Sequence, residues 1–194
     1  MPLLGRGAPA DWLIVGLGNP GAEYERTRHN VGFEIARELI ARWGLPKPKS
    51  RYRGLITEGR TGPGGPRVAV LEPQTYMNEA GQSVGPARGA LKTPLDHVVV
   101  LHDEIDLPFG EIRTRVGGGL AGHNGLKSIR AGLGSPDFTR VRVGVGRPPT
   151  TDPDRVAAYV LSRFREPPQD VQALIEQAAD AAQRVVEDGP PPAA

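Results

Sequence analysis

Imidazole and carboxylate side chains follow predicted strands and loops, where α/β proteins place their reactive groups. His102 and Asp103 come directly after the apolar segment HVVVL, while His29 and His123 precede predicted helices. The chain has no cysteine, and we expect no serine on a nucleophile elbow, so water is the expected nucleophile. A carboxylate that holds an imidazole in its proton-accepting tautomer would activate that water. Hydrolysis by a histidine–aspartate pair is therefore one interpretation of these residue types.

The same residues leave a metal site open as a second interpretation. His102, Asp103, Asp106 and His123 are of the types that bind zinc and other transition metals. They lack the pair of histidines four residues apart on a helix that many metallohydrolases carry. Purely structural roles also stay open, because Asp103 could cap a turn and Asn124 could cap the helix that follows it.

Asparagines recur at the starts of predicted elements, at Asn19, Asn78 and Asn124. An amide both donates and accepts hydrogen bonds, which suits a substrate that carries a peptide unit. Asn19 lies in GLGNPG (16–21), which fits the dinucleotide-binding pattern G-x-G-x-x-G. However, Pro20 removes a backbone donor, and no helical pattern begins directly after the segment. We therefore interpret it as a loop that projects the Asn19 amide into a cleft.

The composition is that of a globular chain, with 194 residues, 38% hydrophobic residues and a net charge of +2. No segment approaches the roughly 20 apolar residues of a membrane span. The first ten residues lack the apolar core of a signal peptide. The absence of cysteine excludes disulfides and Cys-ligated zinc, and a reducing cytoplasm is the expected compartment.

Positive charge is concentrated in residues 111–147, which contain seven Lys and Arg residues but only two acidic residues, Glu111 and Asp137. A basic face of this kind suits a polyanion such as nucleic acid. On the charge alone, a solvated, arginine-rich surface is the favoured interpretation. A non-catalytic RNA-binding module is a further alternative to the enzyme.

Hydrophobic periodicity predicts a single compact α/β domain with a twisted mixed sheet flanked by helices. The predicted strands are 12–17, 52–58, 67–71, 97–101, 111–116 and 141–145. The predicted helices are 30–43, 76–91, 124–133, 152–161 and 168–186, and 117–122 is predicted to be a loop. One domain is expected to span residues 1–194, with poor order in the extension 1–10 and the tail 189–194.

Six collinear segments together resemble the bacterial peptidyl-tRNA hydrolase family. They are VGLGNPG (15–21), Y-x-x-TRHN-x-G (24–32), P-x-TYMN-x-x-G (73–81), HDE-x-DLP-x-G (102–110), GG-x-x-GHNGLKS (118–128) and F-x-R-x-R-x-G-x-G (138–146). Each pattern is loose on its own, but the ordered set is specific and spans most of the chain.

The resemblance implies hydrolysis of the ester between a peptide and the terminal ribose of tRNA, after the peptidyl-tRNA has left the ribosome. It implies that His29 is the general base and that Asp103 orients it. It further implies that Asn19 senses whether the amino group of the substrate is acylated. The remaining substrate contacts near the ester would come from Tyr24, Tyr76, Asn78 and Asn124.

The resemblance also implies how the RNA is held. Arg115 and Arg142 match a basic clamp on the 5′-phosphate of tRNA, and Arg113 stands beside them. The family leads us to expect a cytoplasmic monomer with no membrane attachment, no metal and no cofactor.

Overall fold

The computed structural model describes residues 8–193, in which seven strands form one mixed sheet between helices on both faces. In chain order the elements are β1 (Trp12–Gly16), α1 (Val31–Arg42), β2 (Lys49–Arg51), β3 (Gly54–Arg60), β4 (Arg67–Pro73), α2 (Gly81–Leu91), β5 (Val98–Glu104), β6 (Ile112–Val116), α3 (Asn124–Leu133), β7 (Thr139–Gly144), α4 (Pro153–Val160) and α5 (Pro168–Asp188). The predicted α/β class and mixed sheet are confirmed.

The strand order across the sheet is β2-β3-β4-β1-β5-β7-β6. β1 pairs in parallel with both β4 and β5, and β5 pairs in parallel with β7. The strands β2, β3 and β6 join the edges through antiparallel pairs. The chain therefore winds away from β1 in both directions, and α/β sheets bind their ligands at the carboxyl ends of strands flanking such a point.

The central strands are buried on both faces. Every residue of β1 and β5 is buried, which explains their nearly continuous apolar sequences. Ile14 and Val99 pack with α1 and α5 on one face, while Leu13 and Val100 pack with α2 and α3 on the other. Among the residues described, no helix has the length and hydropathy of a bilayer span.

Two glycines bring α1 against the ends of the central strands. A Cβ on Gly32 would lie 2.4 Å from the Leu101 carbonyl oxygen and 2.5 Å from the Leu17 amide nitrogen. A Cβ on Gly16 would lie 2.3 Å from the Gly32 carbonyl oxygen. Only glycine permits this approach, and it places His29, just before α1, beside the carboxyl end of β5.

Several predicted boundaries differ from the observed ones. The strand predicted from residue 52 begins only at Gly54, because Tyr52 and Arg53 have φ angles of 53° and 52° and form a turn after the unpredicted strand β2. The helix predicted from residue 76 begins at Gly81, after a turn of 3₁₀ helix at Met77–Glu79. The predicted poor order of 1–10 and 189–194 stays a prediction, since 1–7 and 194 lie outside the described residues.

Candidate active site

A cavity of about 680 Å³ lies at the carboxyl ends of β1, β4 and β5. This volume is in the range of small-molecule sites. Its lining includes seven of the ten predicted site residues: Asn19, Tyr24, His29, Tyr76, Asn78, Asp103 and Asn124. Loops that are distant along the chain therefore meet in one pocket at the carboxyl ends of the strands, as the sequence predicted.

His29 and Asp103 are in direct contact inside this cavity. The Nδ1 atom of His29 lies 2.9 Å from Oδ2 of Asp103. The Asp103 side chain is 2% exposed and that of His29 is 14% exposed. Because an ionised carboxylate only accepts hydrogen bonds, Nδ1 of His29 carries a proton, and in the neutral ring Nε2 then carries a lone pair. Within residues 8–193, Nε2 has no hydrogen-bond partner, so it is available as a base.

The charges of this pair follow from their surroundings. Burial lowers the pKa of His29, but the charge and hydrogen bond of Asp103 together outweigh it, so the pKa is raised from 6.5. Burial raises the pKa of Asp103, but His29 and His123 outweigh that effect and hold the pKa well below 3.8. Asp103 is therefore ionised, and it strengthens His29 as a proton acceptor.

His123 occupies the second oxygen of Asp103, a role that the sequence did not predict. Its Nε2 lies 2.8 Å from Oδ1 of Asp103, and its Nδ1 accepts hydrogen bonds from the amides of Gly125 (3.1 Å) and Leu126 (3.3 Å). Backbone amides only donate, so Nδ1 is unprotonated and Nε2–H donates to Asp103. His123 is thus the N-cap of α3, and the prediction that Asn124 is the cap is wrong.

The four-residue metal site does not form as predicted. The buried His102 donates from Nδ1 to the Asp103 backbone carbonyl at 2.8 Å, and Asp106 instead pairs with Arg147 at 2.6 Å. Burial, followed by repulsion from His123, lowers the pKa of His102 to about 3, so its ring is neutral. Among the described residues, the potential ligand atoms that come within 4.8 Å of one another belong to His29, Asp103 and His123.

Asn19 is held so that a donor faces the cavity. Its Oδ1 accepts a hydrogen bond from the Met77 amide at 2.7 Å, which identifies the amide oxygen. Its backbone N–H donates to Oδ1 of Asn30, whose Nδ2 donates back to the Asn19 carbonyl. The Asn19 NH₂ group has no partner among residues 8–193 and remains available to an acceptor on a substrate. Asn30, which braces this loop, was not predicted as a site residue.

One serine lies in a segment with the spacing of a nucleophile elbow. Residues 81–85 read GQSVG and fit G-x-S-x-G, but Ser83 lies inside α2 and is 0% exposed. A nucleophile elbow instead exposes its serine on a turn between a strand and a helix. Ser83 is therefore a core residue, and water remains the expected nucleophile.

Helix α4 forms an apolar wall of the cavity that the sequence did not predict. The Arg28 guanidinium is buried, donates to the carbonyl oxygens of Tyr159 (3.1 Å) and Ser162 (3.3 Å), and lies 3.9 Å from the Tyr159 ring centroid. This contact fastens the end of α4 to the segment that carries His29. The wall consists of Val156, Ala157, Val160 and Leu161.

The three predicted clamp arginines lie beside the cavity and not in its lining. Arg113 on β6 stands opposite Arg142 on β7, so both project from the same face of the sheet. Arg142 donates to the Glu104 carboxylate at 2.9 and 2.7 Å, and Glu104 also lines the cavity. Arg115 donates to the Gly119 carbonyl at 2.8 Å.

Comparisons with known proteins agree on one family. The family model described as peptidyl-tRNA hydrolase matches residues 13–194. The chain is 44% identical to the peptidyl-tRNA hydrolase of Renibacterium salmoninarum over 92% of both chains. It is 49% identical to that of Mycobacterium avium, covering 93% of this chain and 94% of that protein. The crystal structure of the Acinetobacter baumannii enzyme superposes with a TM-score of 0.80 at 36% identity, covering 93% of this chain and 92% of that one.

Proposed function

The chain belongs to the peptidyl-tRNA hydrolase family and hydrolyses the ester of peptidyl-tRNA, and we propose that His29 is the general base of this reaction. The observation that carries the proposal is the 2.9 Å contact between His29 and the buried Asp103, with the opposite ring nitrogen left available in the cavity.

In the proposed reaction, Nε2 of His29 takes a proton from a water molecule, and the oxygen of that water attacks the ester carbonyl. Negative charge then develops on the former carbonyl oxygen, and the side-chain amides of Asn78 and Asn124, which line the cavity, are the donors that would stabilise it. The tetrahedral intermediate collapses by breaking the bond to the ribose oxygen, which receives the proton from His29. The products are tRNA with a free ribose hydroxyl and a peptide with a free carboxyl group, which loses its proton to solvent and leaves His29 neutral for the next cycle.

Asp103 has two roles in this proposal. Its hydrogen bond keeps the proton of neutral His29 on Nδ1, and its charge stabilises the imidazolium that forms during the reaction. His123 keeps the carboxylate in place from the other side. The base therefore needs no rearrangement before it acts.

We propose that Arg115 and Arg142, with Arg113 beside them, bind the 5′-phosphate of tRNA. A planar guanidinium matches the geometry of phosphate oxygens. Arg142 adjoins the cavity through Glu104, and Arg113 stands opposite Arg142 on the same face of the sheet. Recognition would then depend on the shape and ends of the RNA. We further propose that the protein acts as a cytoplasmic monomer.

The proposed role of Asn19, which is to distinguish an acylated from a free amino group, is tested by comparing N-acetyl-aminoacyl-tRNA with free aminoacyl-tRNA. The Asn19 NH₂ group can donate to the carbonyl of an acylated amino group but opposes the N–H donors of a free ammonium group. We expect the blocked substrate alone to be cleaved efficiently. In N19D the acceptor for the Met77 amide is kept but the NH₂ donor is removed, and the rate on the blocked substrate should fall roughly 10- to 100-fold. Equal cleavage of both substrates by the unmodified protein would contradict this role of Asn19.

The pH dependence of hydrolysis should show the raised pKa of His29. The base acts only when its imidazole is neutral, so kcat/KM should rise with pH through the pKa of His29 and be lost below it. Because that pKa is raised, the midpoint should lie above 6.5. Initial rates across the pH range, with the integrity of the tRNA checked at each point, measure it. A midpoint below 6.5 would mean that burial outweighs Asp103.

A further inference from the structure

A second cavity, of about 510 Å³, lies at the turn between β2 and β3. Its lining comprises Ser50, Arg51, Arg53, Gly54, Gln74 and Thr75. Residues 74–75 directly precede Tyr76, which lines the active-site cavity. The two cavities therefore share one segment of chain after β4. We refer to the second one as the β2–β3 groove.

The topology places the β2–β3 groove at the reactive end of the sheet. β3 runs antiparallel to β4, and Gly54 at the start of β3 pairs with Pro73 at the end of β4. The turn Tyr52–Arg53 therefore lies at the carboxyl end of β4, as the catalytic loops do. The strands with the clamp arginines, β6 and β7, lie at the opposite edge of the sheet. The active-site cavity thus lies between two arginine-bearing edges.

The charge around the groove has one sign. Residues 43–57 contain four cationic side chains and no acidic one. The four are exposed, and they are Lys47, Lys49, Arg51 and Arg53. A local excess of this kind complements an anionic partner.

The turn that carries the arginines is fixed in an unusual conformation. Tyr52 and Arg53 both adopt left-handed φ angles, which side-chain-bearing residues rarely do and which cluster at functional sites. Tyr52 packs against the core, and the Arg51 guanidinium lies 4.8 Å from its ring centroid. The backbone N–H of Gln74 donates to the Arg53 carbonyl at 2.8 Å, and the Arg53 side chain donates to the side chain of Gln82. The two guanidinium groups are therefore held near the groove.

We propose that the β2–β3 groove binds a phosphodiester of the tRNA substrate, on the side of the cavity opposite the clamp arginines. This inference rests on the proposed function. Guanidinium groups bind phosphate oxygens through paired N–H donors. Hydroxyl and amide donors from Ser50, Gln74 and Thr75 line the same groove, and Oγ1 of Thr75 is buried without a hydrogen-bond partner among the described residues.

RNA suits this groove better than the peptidyl part of the substrate. Peptides released from the ribosome differ in sequence and carry no charge at a fixed position, whereas every tRNA presents phosphates. Arginine beside an aromatic ring is also the combination that binds single-stranded RNA segments. A fixed pair of cations therefore recognises the part of the substrate that does not vary.

The test compares two double variants that remove the same charge. R51Q/R53Q alters the groove, while R60Q/K92Q removes two exposed cations at the other end of the sheet. For R51Q/R53Q we expect KM for N-acetyl-aminoacyl-tRNA and Kd for deacylated tRNA each to rise about 5- to 20-fold. The slope of log K against log salt should become shallower by about 0.7–0.9 for each phosphate that the variant no longer neutralises. R60Q/K92Q should match the unmodified protein.

Other results would overturn the inference. Unchanged Kd and salt dependence in R51Q/R53Q would show that the groove does not contact RNA. A rise in KM with unchanged binding of deacylated tRNA would assign the groove to the peptide instead. Equal weakening of binding in both double variants would show that the effect comes from the lower net charge and not from the groove. Failure of the proposed function is distinguishable, because the unmodified protein would then not hydrolyse the substrate. Thermal melts establish that each variant is folded.

Discussion

His29→Ala should lower kcat for N-acetyl-aminoacyl-tRNA by about 10²–10⁴-fold, the range that a positioned general base contributes. The alanine removes the available Nε2 atom, and His123 cannot replace it. The Nδ1 atom of His123 accepts from α3 amides, and its Nε2 donates to Asp103. Single-turnover rates with enzyme in excess separate this chemical step from substrate binding.

The fold of H29A should be nearly unaffected, because Asp103 keeps its hydrogen bond to His123 when His29 is removed. The melting temperature should therefore stay close to that of the unmodified protein. H97A provides a matched removal of an imidazole, since His97 stacks on Trp12 away from the cavity. H97A should retain full kcat. If H29A kept most of its activity, the assignment of the base would be wrong.

The sequence predicted the strands that are fully buried, because a continuous apolar segment has few other interpretations. β1 and β5 are covered on both faces, so their apolar sequences identify them directly. The short strand β2 has no such signature, because all three of its residues are exposed and its pairing with β3 alone defines it. The turn at Tyr52–Arg53 was missed for a related reason: turns with left-handed angles are predicted from glycine and asparagine, and neither is present.

Within the site, the sequence predicted residue types better than partnerships. His29 and Asp103 could be named from their motifs, but nothing in a single sequence specifies that one carboxylate serves two imidazoles. The roles of His123 as cap and donor depend on where α3 begins relative to β5. The Arg28 contact with α4 joins segments that are more than 130 residues apart. Contacts between segments so far apart leave no periodic pattern in the local sequence from which they could be predicted.

The fixed tautomer of His123 determines what a neutral substitute for Asp103 would do. In Asp103→Asn the side chain keeps its shape but has one acceptor and one donor. His123 must donate from Nε2, because its Nδ1 accepts from Gly125 and Leu126. The amide oxygen at position 103 must therefore face His123, and the NH₂ group must face Nδ1 of His29. That contact places the proton of His29 on Nε2, where it blocks acceptance of a proton from water.

We therefore expect kcat of D103N to fall by about 10²–10⁴-fold, comparable to the effect of the wrong tautomer in the serine protease triad. In the double variant D103N/H123N the asparagine at position 123 can still cap α3, while the amide at position 103 is free to turn its oxygen toward His29. Its kcat should then exceed that of D103N, although it carries one more substitution. H123N alone, with Asp103 intact, serves as the control and should be affected far less than D103N. If D103N/H123N were no faster than D103N, the fall in rate would come from the missing charge of Asp103, and the tautomer would not be its cause.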